Sequence, residues 1–308
     1  MTTDNDDKIA TQFAFEALRE QRRSRRWNNF FKGLFFLYLL AIMVLSAPTL
    51  MSGGFFGADK ITALVDLQGV ISSDSEASAD IIVTGLRAAF EHDKTAGVII
   101  RINSPGGSPV QSGYINDEIY RLKEKYPDIP IYAVIQDIGA SGGYYVAAAA
   151  DKIYADKSSI VGSIGVRMDG FGFVESMGKL GIERRLLTAG EHKGFLDPFL
   201  PLKSDDVVHI RGVLDEIHQQ FIHTVLKGRR DRIVESAELF SGYVWTGERS
   251  LELGLVDALG SASYVAREVI GAEDIVDFTP RLNPLEQFAR RLGATISEKL
   301  MGGFATIH

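Results

Sequence analysis

"QDIGASGGYYVAAAADKIYA", residues 136–155, sets one hydroxyl, Ser141, among Gly139, Ala140, Gly142 and Gly143 and follows it with a run of small apolar residues. The residues just before it, IYAVIQD, have the aliphatic and aromatic content of a strand, and YYVAAAAD reads as a buried helix. A strand that turns on glycines into a helix is the repeating junction of an α/β fold. Small residues here have two uses. They let a helix pack closely on a sheet, and they clear space around a nucleophile held on a tight turn, where backbone N–H groups can stabilise an oxyanion. GASGG also matches G-x-S-x-G, whose required setting is strand, turn and helix.

Working outward, strand-like and helix-like segments alternate from Lys60 onward. ITALVDLQGVI and AGVIIRIN read as strands; SADIIVTGLRAAFEHD and PVQSGYINDEIYRLKEKY read as amphipathic helices. After Ser141 come strand-like KIYAD and SIVGSIGVRM, then a long helix over about Ser204 to Arg230. In VWTGERSLELGLVDALG a short helix is expected to stop at Gly254 as its cap. From Pro284, Leu285, Phe288, Leu292, Ile296 and Leu300 share one helical face, a stripe suited to docking on the core or on a neighbour.

The first sixty residues read differently. Arg19, Arg22, Arg23, Arg25, Arg26 and Lys32 precede a stretch without charge until Asp59, and Phe30 to Met51 is about the length of a bilayer-crossing helix with no polar face. The basic side of such a span stays in the cytoplasm. A cleaved leader is disfavoured because the small-residue site Leu45-Ser46-Ala47 is followed by Pro48. The expected organisation is a cytoplasmic basic arm (1–29), a transmembrane anchor (30–51), a tether (52–60), an exported α/β domain (61–280) and an amphipathic tail (281–308). The localisation that follows is a bacterial inner membrane with the large domain outside the cytoplasm.

The net charge of −7 excludes the basic surface that nucleic-acid binding needs. With the seven basic and five acidic residues of positions 1–32 set aside, 26 basic residues face 35 acidic ones, so the remainder carries −9. There is no cysteine, hence no disulfide framework, thiolate nucleophile or thiolate metal site. No metal or cofactor is expected. Chemistry is left to serine, carboxylates, histidine and lysine.

Two further stretches complete a hydrolytic set. In TAGEHKGFLDPFL, Lys193 precedes an apolar segment broken only by Asp197. Burial favours the neutral form of an amine, so a segment of this kind would make Lys193 a general base. His192 beside it is the rival base, as are His209, His218 and His223 on the long helix. RINSPGGSPV follows a buried strand and opens a helix, leaving N–H groups around Gly106, Gly107 and Ser108 to face an anion. It lacks the G-K-[ST] ending of a phosphate-binding loop.

VDLQGVI, RINSPGG, GASGGYYVAAAADKIYA, GSIGV, AGEHKGFLDPF and WTGERSLELGLVD, in this order between about Ile61 and Gly260, resemble the signal peptide peptidase A family, Ser/Lys proteases of the ClpP/crotonase superfamily. The resemblance implies an α/β, ClpP/crotonase-like domain behind a single N-terminal transmembrane helix, and the chain looks like the family's short form. It implies Ser141 as nucleophile, Lys193 as base, Ser163 as the serine that orients the lysine amine, and Gly107, Ser108 and Gly142 as the oxyanion hole. It also implies apolar peptide substrates such as cleaved signal peptides, and a homo-oligomeric ring in which a neighbour supplies the lysine. Gly194 departs from the serine that the family often has after its lysine. Three other functions fit parts of the sequence: a Ser–His–Asp hydrolase, an acyl-CoA enzyme on the same fold, and a non-catalytic membrane scaffold.

Overall fold

Alternation along ITALVDLQ sorts the first strand, β1 (Ile61–Gln68), between two cores: Ala63, Val65 and Leu67 enter the larger one and Leu64 the smaller. β2 (Thr95–Ser104) and β3 (Ile131–Ala140) run parallel to it, with Val65 opposite Ile100 and Ile100 opposite Ala133. A parallel strand covered on both faces needs apolar residues on both, which accounts for the run Val98-Ile99-Ile100 in β2. One face is covered by α2 (Ala79–Glu91) through Ile82, Leu86 and Phe90, and by α3 (Pro109–Lys125) through Ile115, Ile119 and Leu122. On the other, Leu64, Ile99, Val134 and Tyr154 meet Val265 and Ala266, which lie in the π-helical stretch Val265–Ile270. The computed structural model describes residues 25, 27–41, 59–234, 236 and 238–281.

β3 changes partner partway along one edge. Tyr132–Ile135 pair with β4 (Lys152–Ala155) and Ile138–Ala140 pair with β5 (Ile160–Gly162). The switch coincides with a bulge, in which Gln136, Asp137 and Ile138 lie between the Ile102–Ile135 and Ser104–Gly139 pairs and face Asn103 alone. Of SIVGSIGVRM only Ile160–Gly162 is strand, because Ser163 takes φ 52° and turns the chain out of the sheet. β6 (Val244–Thr246) then closes this side antiparallel to β5. The full order is β6-β5-β3-β2-β1-β8, with β8 at Ile275–Asp277, and β7 (Ala258–Leu259) pairs with β4.

Between β5 and the long helix α6 (Ser204–Arg229) the chain makes an excursion whose one helix, α5 (Val174–Lys179), buries no residue. Phe171, Leu180 and Leu187 on this arm are 82, 74 and 96% exposed. α6 begins largely exposed, with Asp206 buried in its first turn, and ends in the core, where Phe221, Val225 and Arg229 are buried. Arg229, 1% exposed, donates from Nη1 and Nη2 to the two oxygens of Asp257 (2.6 and 3.0 Å) and from Nε and Nη2 to the Gly254 carbonyl (2.9 and 2.8 Å). Helix α7 (Gly247–Glu252) is capped by Leu253, and Gly254 follows it in the left-handed region. A Cβ at Gly254 would lie 1.7 Å from the Arg232 carbonyl, so the expected glycine stop also makes room for a neighbour.

The chain divides into two units, Met1–Ala58 and Asp59–His308. In the first, residues 27–41 form helix α1, exposed along its length, with the rings of Trp27, Phe30 and Phe31 clustered 5.7–5.9 Å apart. Among the described residues no helix is long and apolar enough to cross a membrane. α1 takes in only the first part of the expected 30–51 span; residues 42–58 and the tail from 282 lie outside the described residues.

Candidate active site

Ser141 is the single residue between the end of β3 and α4 (Gly142–Ala147), and it has φ 51° and ψ −123°. A side chain at positive φ is strained, and strain of this kind collects where a side chain must be aimed. Two bonds hold the turn: the Ser141 N–H donates to the Gly162 carbonyl (2.8 Å) and the Tyr145 N–H donates to the Ser141 carbonyl (2.9 Å). Among the described residues the half-buried Ser141 hydroxyl has no hydrogen-bond partner. Behind it Tyr144 is fully buried and donates to the Leu255 carbonyl at 2.8 Å; burial pushes its phenol up, so it remains a neutral donor.

The loop after β2 lies against this turn. A Cβ on Gly106 would fall 2.6 Å from the Gly142 nitrogen and 2.7 Å from the Ser141 Cβ; a Cβ on Gly142 would fall 3.2 Å from the Gly107 nitrogen. Only glycine permits this approach. From the other side Ile71 brackets Gly107: the Ile71 N–H donates to the Gly106 carbonyl (2.9 Å) and its carbonyl accepts the Ser108 N–H (2.8 Å). Groups flanking a bridged residue face its partner, so the N–H of Gly107 itself points the other way. Among the described residues, the N–H groups of Gly107 and Gly142 are both without a partner. Ser108 departs from the expectation. Its N–H is already bound to Ile71, and its side chain caps α3 by accepting the Gln111 N–H.

Ser163 stands beside Ser141. Ala140 and Gly162 are partners across parallel strands, and each is followed by a serine at positive φ. Lys193 is elsewhere. Its loop docks on the first turns of α6, where His192 Nδ1 lies 3.6 Å from Asp206 Oδ1 and the Phe195 ring packs edge-on against His209. Further along the same helix His218 Nε2 bonds the carbonyl of Ile164, the residue after Ser163, at 3.1 Å. From Asp206 to His218 is twelve residues of helix, about 18 Å at the standard rise. A lysine side chain spans roughly a third of that. Within one chain Lys193 is exposed rather than buried by the apolar segment after it, where Phe195, Leu196 and Leu200 are only half-buried. No carboxylate among the described residues contacts His218, so the one histidine near the serines has no acid to orient it. Nor is there a group of residues among those described that could hold a metal ion.

A serine on a strained strand–helix turn, beside two N–H groups without partners among the described residues, suits acyl transfer. Comparison with known proteins agrees. Residues 123–274, which include Ser141, Ser163 and Lys193, match Peptidase family S49. The Synechocystis sp. protein slr0021, a provisionally named protease, is 32% identical over 202 residues, covering 66% of this chain and 70% of that one. An Enterococcus faecium protein provisionally named signal peptide peptidase SppA is 33% identical over 178 residues, 58% of this chain and 51% of that one. A Brucella abortus protein named Na(+)/H(+) antiporter NhaA is 44% identical over 186 residues, which is 60% of this chain but 25% of that protein. The chain thus spans a quarter of the Brucella protein and about half of the Enterococcus protein. The chain belongs to peptidase family S49.

Proposed function

We propose that this protein is a serine endopeptidase in which Ser141 attacks the peptide carbonyl, its proton passing to the Lys193 amine of a neighbouring subunit. The oxyanion accepts hydrogen bonds from the Gly107 and Gly142 N–H groups. Lys193 then protonates the departing amine as the C–N bond breaks, leaving an acyl-enzyme. Water attacks the ester with the same amine as base, and the proton returns to Ser141 as the acid product leaves. Ser163 orients the lysine amine. The observation that carries this reading is the strained Ser141 turn, brought by the glycines at 106, 107 and 142 close beside two N–H groups that have no partner among the described residues. Replacing Ser141 with alanine in the full-length chain, purified in detergent, is expected to abolish cleavage of apolar peptides and labelling by a fluorophosphonate. Undiminished cleavage would sink the proposal.

The neighbour's role is supported by the separation along α6 and by the uncovered apolar side chains of the arm, which a head-to-tail ring of copies would cover. Apolar peptides near a membrane, such as cleaved signal peptides, are the proposed substrates. The site is held at the bilayer by the 30–51 span, with residues 1–29 cytoplasmic and the catalytic domain outside the inner membrane. Basic residues on one side of an uncharged stretch, and the aromatic cluster at the start of α1, support that orientation. Protease added to intact spheroplasts is expected to digest the large domain. Digestion only after the inner membrane is broken would reverse the topology.

A further inference from the structure

The loop that aims the Gly107 N–H is gripped from behind by a hydroxyl that the proposed chemistry does not use. Ser104, at the end of β2, is completely buried. Its Oγ donates to the Gly69 carbonyl at 2.6 Å and accepts the Gly106 N–H at 3.1 Å. A hydroxyl has one proton to give, so these two partners fix its direction. Gly69 is itself tied down, its N–H donating to the Asn103 carbonyl at 2.9 Å.

Both peptide planes around Gly106 are thereby held. Ser104 takes the N–H on one side, and the Ile71 N–H takes the Gly106 carbonyl on the other. In a trans peptide the N–H points opposite to the C=O. Anchoring the Gly106 carbonyl on Ile71 therefore sends the Gly107 N–H toward Gly142. Two successive glycines have no side chain to resist rotation, so this aim depends on the hydrogen bonds at either end. We infer that Ser104 is a positioning residue for the oxyanion hole, acting through Gly106 and Gly69 and never touching substrate. The inference rests on the proposed serine peptidase reading, with Gly107 and Gly142 as the donors.

The test is Ser104→Ala in the full-length chain, assayed beside Ser141→Ala. The expected result is a fall in kcat of about tenfold or more, the scale of a misaimed oxyanion donor, with KM within about twofold of the parent. A peptide aldehyde, which forms a hemiacetal oxyanion on the serine, is expected to lose affinity by a similar factor. The corresponding peptide alcohol, which forms none, is expected to bind as before. A structural role alone would weaken both ligands together. Should the alanine variant not fold, Ser104→Cys, which fills the same space but hydrogen-bonds weakly, carries the same expectations. Unchanged kcat and aldehyde affinity in a folded variant would overturn the inference, as would equal losses for aldehyde and alcohol, or failure of both variants to fold. Retained activity in Ser141→Ala would instead overturn the reading beneath it.

Discussion

Mixing a Ser141→Ala chain with a Lys193→Ala chain, each inactive alone, is expected to restore peptidase activity. Each substitution should by itself lower kcat by several orders of magnitude, because in the proposed dyad nucleophile and base act as one unit and losing either loses the whole. Recovery on mixing follows from the position of Lys193. Its loop is fastened at the start of α6 by the His192–Asp206 and Phe195–His209 contacts, while the level of Ser163 is marked on the same helix by the His218 bond to Ile164. About 18 Å of rigid helix separates the two. A closed ring of mixed subunits in equal amounts pairs an intact serine with an intact lysine at roughly a quarter of its interfaces, and activity should return near that level. No recovery, with mixed assemblies verified by two affinity tags, would put the dyad within one chain. His218→Ala in an otherwise intact chain is the companion measurement. It should keep most of the activity, since His218 has no carboxylate partner among the described residues; its loss would favour a histidine base.

The site was legible in the sequence where its cause is local. A serine flanked by glycines after an apolar strand announces a tight turn, and the structure has Ser141 at positive φ there. The strand-like run of β1 and the helical stretches of α2 and α3 are likewise local, and each forms the element expected. What escaped depends on partners far along the chain. Ser108 reads as a free donor until Ile71, in the loop after β1, is found to accept its N–H. Ser104 looks like any serine ending a strand, because its acceptor, Gly69, is 35 residues away. The apolar arm around Lys193 misleads for a related reason: hydrophobicity states that a segment will be covered, without stating by which chain. Where β5 ends is likewise not announced by composition, since one serine at positive φ, Ser163, stops it.

A second large effect is expected in stability, at the opposite end of α6. Asp257→Ala should destabilise the domain by about 3–5 kcal/mol, because it leaves the guanidinium of Arg229 buried without its counter-charge. Replacing both, as Arg229→Met with Asp257→Leu, should cost much less than the single change, since a buried pair is held at a desolvation penalty that apolar packing avoids. Burial alone would raise the Asp257 carboxyl, but the Arg229 bonds and charge, the Ile153 N–H and Arg232 outweigh it and hold the group below the usual carboxylate range. A carboxylate lowered on folding contributes stability that is present above its unfolded value of about 4 and is lost as pH falls through the folded one. Urea unfolding of the wild type should therefore weaken below about pH 4, and Asp257→Asn should flatten that dependence. Glu118, brought down to about 2 chiefly by the Arg121 bond against the cost of burial and with help from Arg87, leaves a residual slope of the same sign. The consequence reaches the active site. Arg229 holds the end of the helix on whose other end the Lys193 loop docks, and Leu255, two residues before Asp257, accepts the Tyr144 hydroxyl. Below the temperature at which Asp257→Ala unfolds, its activity should fall further than that of the apolar double variant. Equal activities would confine this cluster to stability, and a loss under about 1 kcal/mol would mean that the Arg229–Asp257 pair adds little to what holds α6.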